Sequence, residues 1–453
     1  MSHKHLAALR NAYWQFLSSL RMLLGRTIPV WLRYASAMLN GLAVKSTTGG
    51  SNKKLLLITW EFPPQVTGGV YRPLSFARHA ASSGWQVEVV CGPAPFQPSE
   101  AGHYLAGLLP DTVLLHRVEA DAGPHPWPLP KVDGGIVNAL TLYEAAATRI
   151  SPGESGVILA SGPPFANFIA GLWLARRTGW RLVLDYRDEW TESPFKFVER
   201  GGANHYWESL CLERANLVIY TTPSQLAHAE QRFPALGKAR RAVVYNGWEP
   251  DDFTGSPICK KQDSTAPITL AYLGNLGAMA APDTFLASLV GVLATRPDLR
   301  ARVKVRVVGH KRPDALKKLN AFPYPETIEL VDSISKVEAC HMMREVDGLL
   351  LLNPPELKRY IQGKLYEYIA SGTPVLAFGA GGEMGEIIDR LGAGITVPEN
   401  DAETLALALD NLKTYQLGNS DKRDAWLASR RRAELAGGLY HELNALLVPQ
   451  EID

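Results

Sequence analysis

Residues 363–377 read Gly-Lys-Leu-Tyr-Glu-Tyr-Ile-Ala-Ser-Gly-Thr-Pro-Val-Leu-Ala. The run from Lys364 predicts a helix that stops at Gly372, after which Thr373-Pro374 leads into an apolar strand. Lys364 falls near the helix N-terminus, where free backbone N–H groups and the macrodipole favour anions. Glu367 shares its face at i+3. A cation for a phosphate beside a carboxylate for a sugar hydroxyl is the pairing that a nucleotide-sugar site needs.

Outward from this helix, strand and helix signals alternate. Leu55–Ile58, Val87–Cys91, Val157–Ala160, Leu182–Leu184 and Leu217–Ile219 are short apolar runs suited to buried parallel strands. Helical stretches lie between them, around 71–83, 165–178 and 204–215. The pattern restarts after a polar stretch at 250–266. Ile268–Leu273, Val303–Val308, Gly348–Leu352 and Pro374–Phe378 read as strands, with helices over 282–296, 336–344, 364–371 and 402–414. The expected fold is α/β, with two Rossmann-like doubly wound domains facing across a cleft. Their expected bounds are 52–255 and 256–420, with a last helical segment over 421–453 that crosses back over the halves.

The 453 residues suffice for two ordinary domains, and 46% hydrophobic with 20% charged residues is the composition of a globular protein. A formal net charge of +2, with no basic stripe interleaved with aromatics in the body of the chain, excludes a dedicated nucleic-acid binder. Cys91, Cys211, Cys259 and Cys340 form no CxxC pair and no zinc spacing. Reduced thiols in a cytoplasmic setting are the expectation. No acidic or histidine cluster has metal-ligand spacing, and Asp185 and Asp188 do not make a DxD pair.

The first fifty residues differ from the rest. They carry Lys4, Arg10, Arg21, Arg26, Arg33 and Lys45 but no Asp or Glu. Leu6, Leu9, Tyr13, Phe16, Leu20 and Leu24 recur at helical spacing, and Trp14 and Trp31 add interfacial aromatics. A basic amphipathic helix over residues 1–45 has two readings: contact with an anionic membrane surface, or packing on the protein's own body. Residues 46–51 read as a linker, so 1–51 form an extension. No apolar run is long enough to span a bilayer.

Further candidates sit at strand ends, where ligands of such sheets bind. Gly68-Gly69 precedes a helix whose first turn holds Arg72, a possible anion partner. Asp185-Tyr186-Arg187-Asp188-Glu189-Trp190 concentrates four ionisable residues after one strand; such groups are costly there unless paired or used. The alternatives are a direct role or an Asp–Arg pair that fixes the loop. Gly274-Asn275-Leu276-Gly277 and Val308-Gly309-His310 end strands of the second half.

As an ordered set, these segments resemble a glycosyltransferase of the GT-B fold, most similar to family 4, over about residues 53–415. The motifs are the Gly68-Gly69 loop, Ser161-Gly-Pro-Pro-Phe165, Asp185–Trp190, Tyr245-Asn246-Gly247, Gly274–Gly277 and the Lys364–Pro374 block. The resemblance implies transfer of a sugar from a nucleoside-diphosphate sugar to a hydroxyl of a glycan or lipid-linked acceptor. It also implies retained anomeric configuration, no obligatory metal and no cofactor. By that resemblance Glu367 binds the donor ribose, and Lys364 binds the diphosphate and stabilises its departing charge. Gly68 and Gly69 approach the donor. Arg72, Gly274, Asn275 and Gly309 complete the donor-binding candidates, and Asp185 or Asp188 orients or deprotonates the acceptor.

Two departures stand out. Members of the family commonly carry a second glutamate eight positions before the first, where this chain has Arg359. Glu356, Glu383 or Glu386 is a candidate substitute. The loop after Gly274 lacks the usual basic residue, leaving Lys364, Arg72 or Lys311 to supply charge. Rival expectations are another nucleotide-sugar-processing enzyme of the same fold, such as an epimerase, and an inactive scaffold of a membrane polysaccharide assembly. A cytoplasmic enzyme peripheral to the inner membrane face, acting in surface polysaccharide or glycolipid synthesis, is the expected setting.

Overall fold

A computed structural model describes residues 13–15, 17–41, 52–254, 267–277, 279–379 and 381–447. The linker at 46–51, most of the polar stretch at 250–266, Cys259 and the side chains of Lys4, Leu6, Leu9, Arg10, Phe16 and Lys45 lie outside the described residues. The chain forms two compact units. One comprises residues up to Ile219 with Glu230–Ala242 and the chain from Tyr440 on; the other comprises Tyr220–Ala229 with Val243–Leu439.

The first unit is built on strands β1 (Lys54–Thr59), β2 (Gln86–Cys91), β3 (Leu114–Arg117), β4 (Val157–Gly162), β5 (Arg181–Tyr186), β6 (Leu217–Tyr220) and β7 (Arg240–Val243). Their order in the sheet is β3-β2-β1-β4-β5-β6-β7. β1 pairs in parallel with β2 (Leu57 opposite Val89) and with β4 (Leu57 opposite Leu159). Leu55–Ile58 and Val157–Ala160 are fully buried, as continuous apolar runs in a two-sided parallel sheet must be.

The second unit repeats the plan with β8 (Ile268–Leu273), β9 (Val303–Val308), β10 (Ile328–Val331), β11 (Gly348–Leu352), β12 (Val375–Phe378) and β13 (Gly394–Val397). Its order is β10-β9-β8-β11-β12-β13. Counted from each unit's own first strand, both sheets contain the order 3-2-1-4-5-6, to which the first sheet adds a seventh strand; this is the doubly wound order whose crevice opens beside the first and fourth strands. Leu270, Leu289, Val305, Leu350 and Leu376 form part of the second unit's core.

One predicted helix proves shorter than expected. The stretch at 71–83 divides into a helix Tyr71–Arg78 and a tight turn Ala81–Ser83 closed by Gly84 at φ 73°. The segment from 421 divides into helices Ser420–Ala428 and Arg432–Leu447.

The N-terminal extension continues through a helix Ile28–Asn40, whose Val30 and Ala37 are buried. Arg26 grips Asp121 through both guanidinium ends at 2.7 and 2.6 Å. Arg33 holds Glu144 at 2.8 and 2.7 Å, and the Tyr34 ring meets Trp173 edge-on at 6.0 Å. One face of this helix therefore packs on the first unit. The other keeps Trp31, Leu32 and Leu39 exposed, continuing Tyr13, Trp14, Leu20, Leu23 and Leu24.

Candidate functional site

In the second unit, the crevice position lies at the carboxyl ends of the paired strands β8 and β11. β8 ends at Leu273, and Gly274 follows at φ 119° with its N–H donating to the Val308 carbonyl at 3.0 Å. Gly309 ends β9 at φ 108°. A Cβ there would come within 2.7 Å of the Gly274 carbonyl oxygen. Both positions demand glycine, because the two strand-end turns touch backbone to backbone in a conformation that side chains resist.

Lys364 is the second residue of the helix Gly363–Ser371. Its ammonium sits 3.7 Å above the centre of the Tyr272 ring, and a Cβ on Gly274 would be 3.5 Å from its Nζ. The Tyr272 hydroxyl donates to the Asn275 carbonyl at 2.9 Å, which fixes the ring beneath the lysine. Among the described residues no carboxylate forms an ion pair with Lys364. Burial lowers its pKa to about 7, against the opposing pull of Glu367. A half-buried cation lacking a counter-charge, beside two strand-end glycines and a helix N-terminus, is suited to an anionic ligand. Asn275 is exposed at the same strand end.

Glu367 lies one turn on, but it is already engaged: its Oε1 accepts from the Lys336 ammonium. Lys336 also stands 3.7 Å from Asp252 Oδ2. Burial pulls the Lys336 pKa down, and Glu367 and Asp252 outweigh that effect, so the net shift is upward. Sequence reading missed Lys336. The one signal it had was Ser335 with Glu338, a capping box that opens the helix Lys336–Glu345 and fixes where this lysine starts. Of the substitutes for the missing glutamate, Glu383 accepts from the Ser224 N–H at 2.9 Å, while Glu356 and Glu386 are exposed. Lys311 donates to the Val331 carbonyl, and burial lowers its pKa. The Arg359 carbonyl accepts from Thr222 Oγ1 at 2.6 Å.

In the first unit, two candidates turn out to hold each other. Asp185 is fully buried; its oxygens accept from Arg72 Nε at 3.0 and 3.1 Å, from Arg72 Nη2 at 2.7 Å and from Ser161 Oγ at 2.8 Å. Arg72 is itself 6% exposed, with its guanidinium 4.9 Å from the Phe76 ring. Both side chains are thereby engaged with each other: Asp185 takes the paired alternative, with Arg72 as its partner. They join β5 to the helix Tyr71–Arg78 as a buried, hydrogen-bonded ion pair.

Asp188, two residues beyond β5, behaves differently. Among the described residues its carboxylate takes no hydrogen bond or ion pair. Burial raises its pKa to about 6; Arg187 opposes this, while Glu189 and Glu61 add to it. Such a group can accept a proton from a hydroxyl or align one. Gly69 is held by its carbonyl, which accepts from Arg187 Nη1, and Arg187 pairs with Glu61 at 3.2 Å. Gly68 is exposed, with open space where a Cβ would be.

Comparison with known proteins identifies the family. Residues 67–247 match the model of the glycosyl transferase 4-like domain, and residues 267–414 that of glycosyl transferases group 1. A D-inositol 3-phosphate glycosyltransferase from Streptomyces scabiei is 28% identical over 190 residues, covering 39% of this chain and 41% of the relative. The chain thus aligns with about two fifths of that relative's length. Among solved structures, the sucrose-phosphate synthase of Thermosynechococcus elongatus superposes with TM-score 0.65 at 17% identity, over 87% of this chain and 100% of that one. An E. coli structure described as trehalose-6-phosphate bound with UDP-2-fluoro glucose gives TM-score 0.61 at 13% identity, over 88% and 100%. These likenesses carry the GT-B fold, and the two family models together span most of the chain: it is a family 4-like glycosyltransferase.

Proposed function

We propose that the protein transfers a sugar from a nucleoside-diphosphate sugar to a hydroxyl acceptor, with the donor held by the second unit. The observation that carries this reading is Lys364, a half-buried cation without an ion-pair partner, placed against Gly274 at the helix N-terminus. In this reading Lys364 and the helix amides stabilise the charge that grows on the departing diphosphate, without requiring a metal. Glu367 accepts hydroxyls of the donor ribose. Gly274, Asn275 and Gly309 let backbone approach the phosphates, and Gly68 and Gly69 approach the transferring sugar. Asp188 orients or deprotonates the acceptor hydroxyl. The configuration is retained, as the family resemblance implies.

The acceptor is a glycan or lipid-linked precursor of surface polysaccharide or glycolipid, reached at the inner face of a membrane. The exposed apolar side of the N-terminal helix supports this reading, although no described helix is long and apolar enough to cross a bilayer.

The test is transfer or donor hydrolysis measured across a panel of nucleotide sugars. Lys364→Ala is expected to cut donor affinity or turnover at least a hundredfold, the scale of losing a charge-stabilising group. Asp188→Asn is expected to lower turnover while leaving donor binding intact. Near-normal transfer by the lysine variant would remove the phosphate role. Donor binding without transfer to any acceptor would favour the scaffold reading.

A further inference from the structure

Glu367 is the carboxylate that the donor reading assigns to the ribose, yet in this structure one of its oxygens is taken by a lysine from another element. That lysine opens the helix Lys336–Glu345, and its position is fixed twice. The capping box of Ser335 and Glu338 anchors the backbone, with Glu338 N–H donating to Ser335 Oγ at 3.2 Å and Ser335 N–H to Glu338 Oε2 at 2.8 Å. Asp252, in the turn Pro250–Phe253, stands 3.7 Å from the same ammonium. The Lys336 and Glu367 side chains are 26% and 14% exposed, so the pair is shielded but reachable.

The three groups carry one positive and two negative charges. Without Lys336, Glu367 would lose the tether on Oε1 and be free to change rotamer, and the cations left to act on the two carboxylates would be Arg432 on Asp252 and Lys364 on Glu367. With it, Glu367 Oε1 is tethered and Oε2 faces a fixed direction. A carboxylate held in this way accepts hydroxyl hydrogens along set directions. A vicinal diol, which presents two adjacent hydroxyl donors, matches that arrangement.

We propose that Lys336, backed by Asp252, is a positioning residue that makes Glu367 selective for the vicinal diol of the donor's ribose. The inference rests on the donor reading and extends it to discrimination between ribose and deoxyribose.

The test is a cycle between protein and ligand. Binding of uridine, adenosine and guanosine diphosphates, and of their 2′-deoxy and 3′-deoxy forms, is measured by calorimetry on the full chain and on Lys336→Met, Lys336→Gln and Asp252→Asn. Melting curves confirm that each variant is folded, and Lys336→Gln, which keeps a donor, serves if Lys336→Met does not fold. In the parent chain, removing one hydroxyl is expected to weaken binding about tenfold or more, the worth of a hydrogen bond to a charged group. In Lys336→Met or Lys336→Gln the ribose-to-deoxyribose ratio is expected to fall below about threefold, with Asp252→Asn in between and Lys336→Arg restoring part of it. A merely structural lysine would weaken ribose and deoxyribose ligands equally and leave the ratio unchanged; that result overturns the inference and spares the donor reading. Failure of the parent chain to bind any of the diphosphates overturns both.

Discussion

Lys364 illustrates how one side chain can report on its ligand. An ordinary lysine titrates near 10.4; burial brings this one to about 7. At pH 8 the empty site therefore holds a mostly neutral amine. A diphosphate arriving beside it favours the ammonium and lifts the pKa back, so binding must draw a proton from the buffer. Close to one proton should be taken up per nucleoside diphosphate at pH 8, falling towards zero at pH 6, where the amine is already charged. Calorimetry in Tris and in HEPES, whose ionisation heats differ, measures the uptake; Lys364→Met should abolish it. The placement of this residue was legible because it rests on local signals: a helix start and a glycine stop. Arg72 and Asp185 were not legible in the same way. An Asp–Arg pair at this loop was one of two open readings, but the partner of Asp185 lies 113 residues away and no local signal named it. Lys336, 31 residues from Glu367, was hidden for the same reason.

Among the elements, burial decided what could be read. β1, β4, β5, β8, β11 and β12 announce themselves as apolar runs because both of their faces are covered. The sequence reading passed over β3, β7, β10 and β13, each four residues long. β3 and β10 close one edge of their sheets, while β7 and β13 close the other. Leu114 is 54% exposed and β7 begins Arg240-Arg241, so the apolar signal of an inner strand is lacking there. The N-terminal helix was readable as amphipathic but not in the disposition of its charges. Arg26 and Arg33 are spent on Asp121 and Glu144, whereas Arg21 has no ion pair among the described residues. Membrane contact through this helix would then depend on apolar side chains more than on charge, and depend only weakly on salt. Leu24→Asp with Leu32→Asp should reduce partitioning onto anionic vesicles tenfold or more in a flotation assay while leaving the melting temperature unchanged. Ala37→Asp, which buries a carboxylate in the packed face, should instead lower stability by several kcal/mol. Equal vesicle binding by the double-aspartate variant would remove the membrane reading.

At the scale of the whole molecule, the last helix belongs to both units. Up to Leu439 the helix Arg432–Leu447 counts with the second unit, and from Tyr440 with the first. Its start is tied to the second unit, where Arg432 N–H donates to the Trp248 carbonyl at 3.1 Å and the Trp248 N–H to that of Arg430 at 3.2 Å. Its later turns complete the first unit. Tyr440 is 1% exposed, its hydroxyl donates to the Phe76 carbonyl at 2.7 Å, and its ring lies 5.8 Å from that of Trp85. Leu443 is fully buried, and Glu442 pairs with Arg240 at 3.1 Å. Truncating Tyr440 would leave a ring-sized cavity and an unpaired carbonyl in the first unit, at a cost of about 3–5 kcal/mol. The groups assigned to the nucleoside diphosphate, Gly274, Asn275, Gly309, Lys364 and Glu367, all lie in the second unit. Tyr440→Ala should therefore lower the thermal unfolding of the first unit by several degrees while the affinity for the best-bound nucleoside diphosphate at 20 °C stays within about twofold. Calorimetric scans with and without that nucleotide separate the two effects, since a ligand protects the unit that binds it. Loss of nucleotide affinity in the folded variant would mean that the final helix supports the donor site as well, and that the first unit's core is not its sole client.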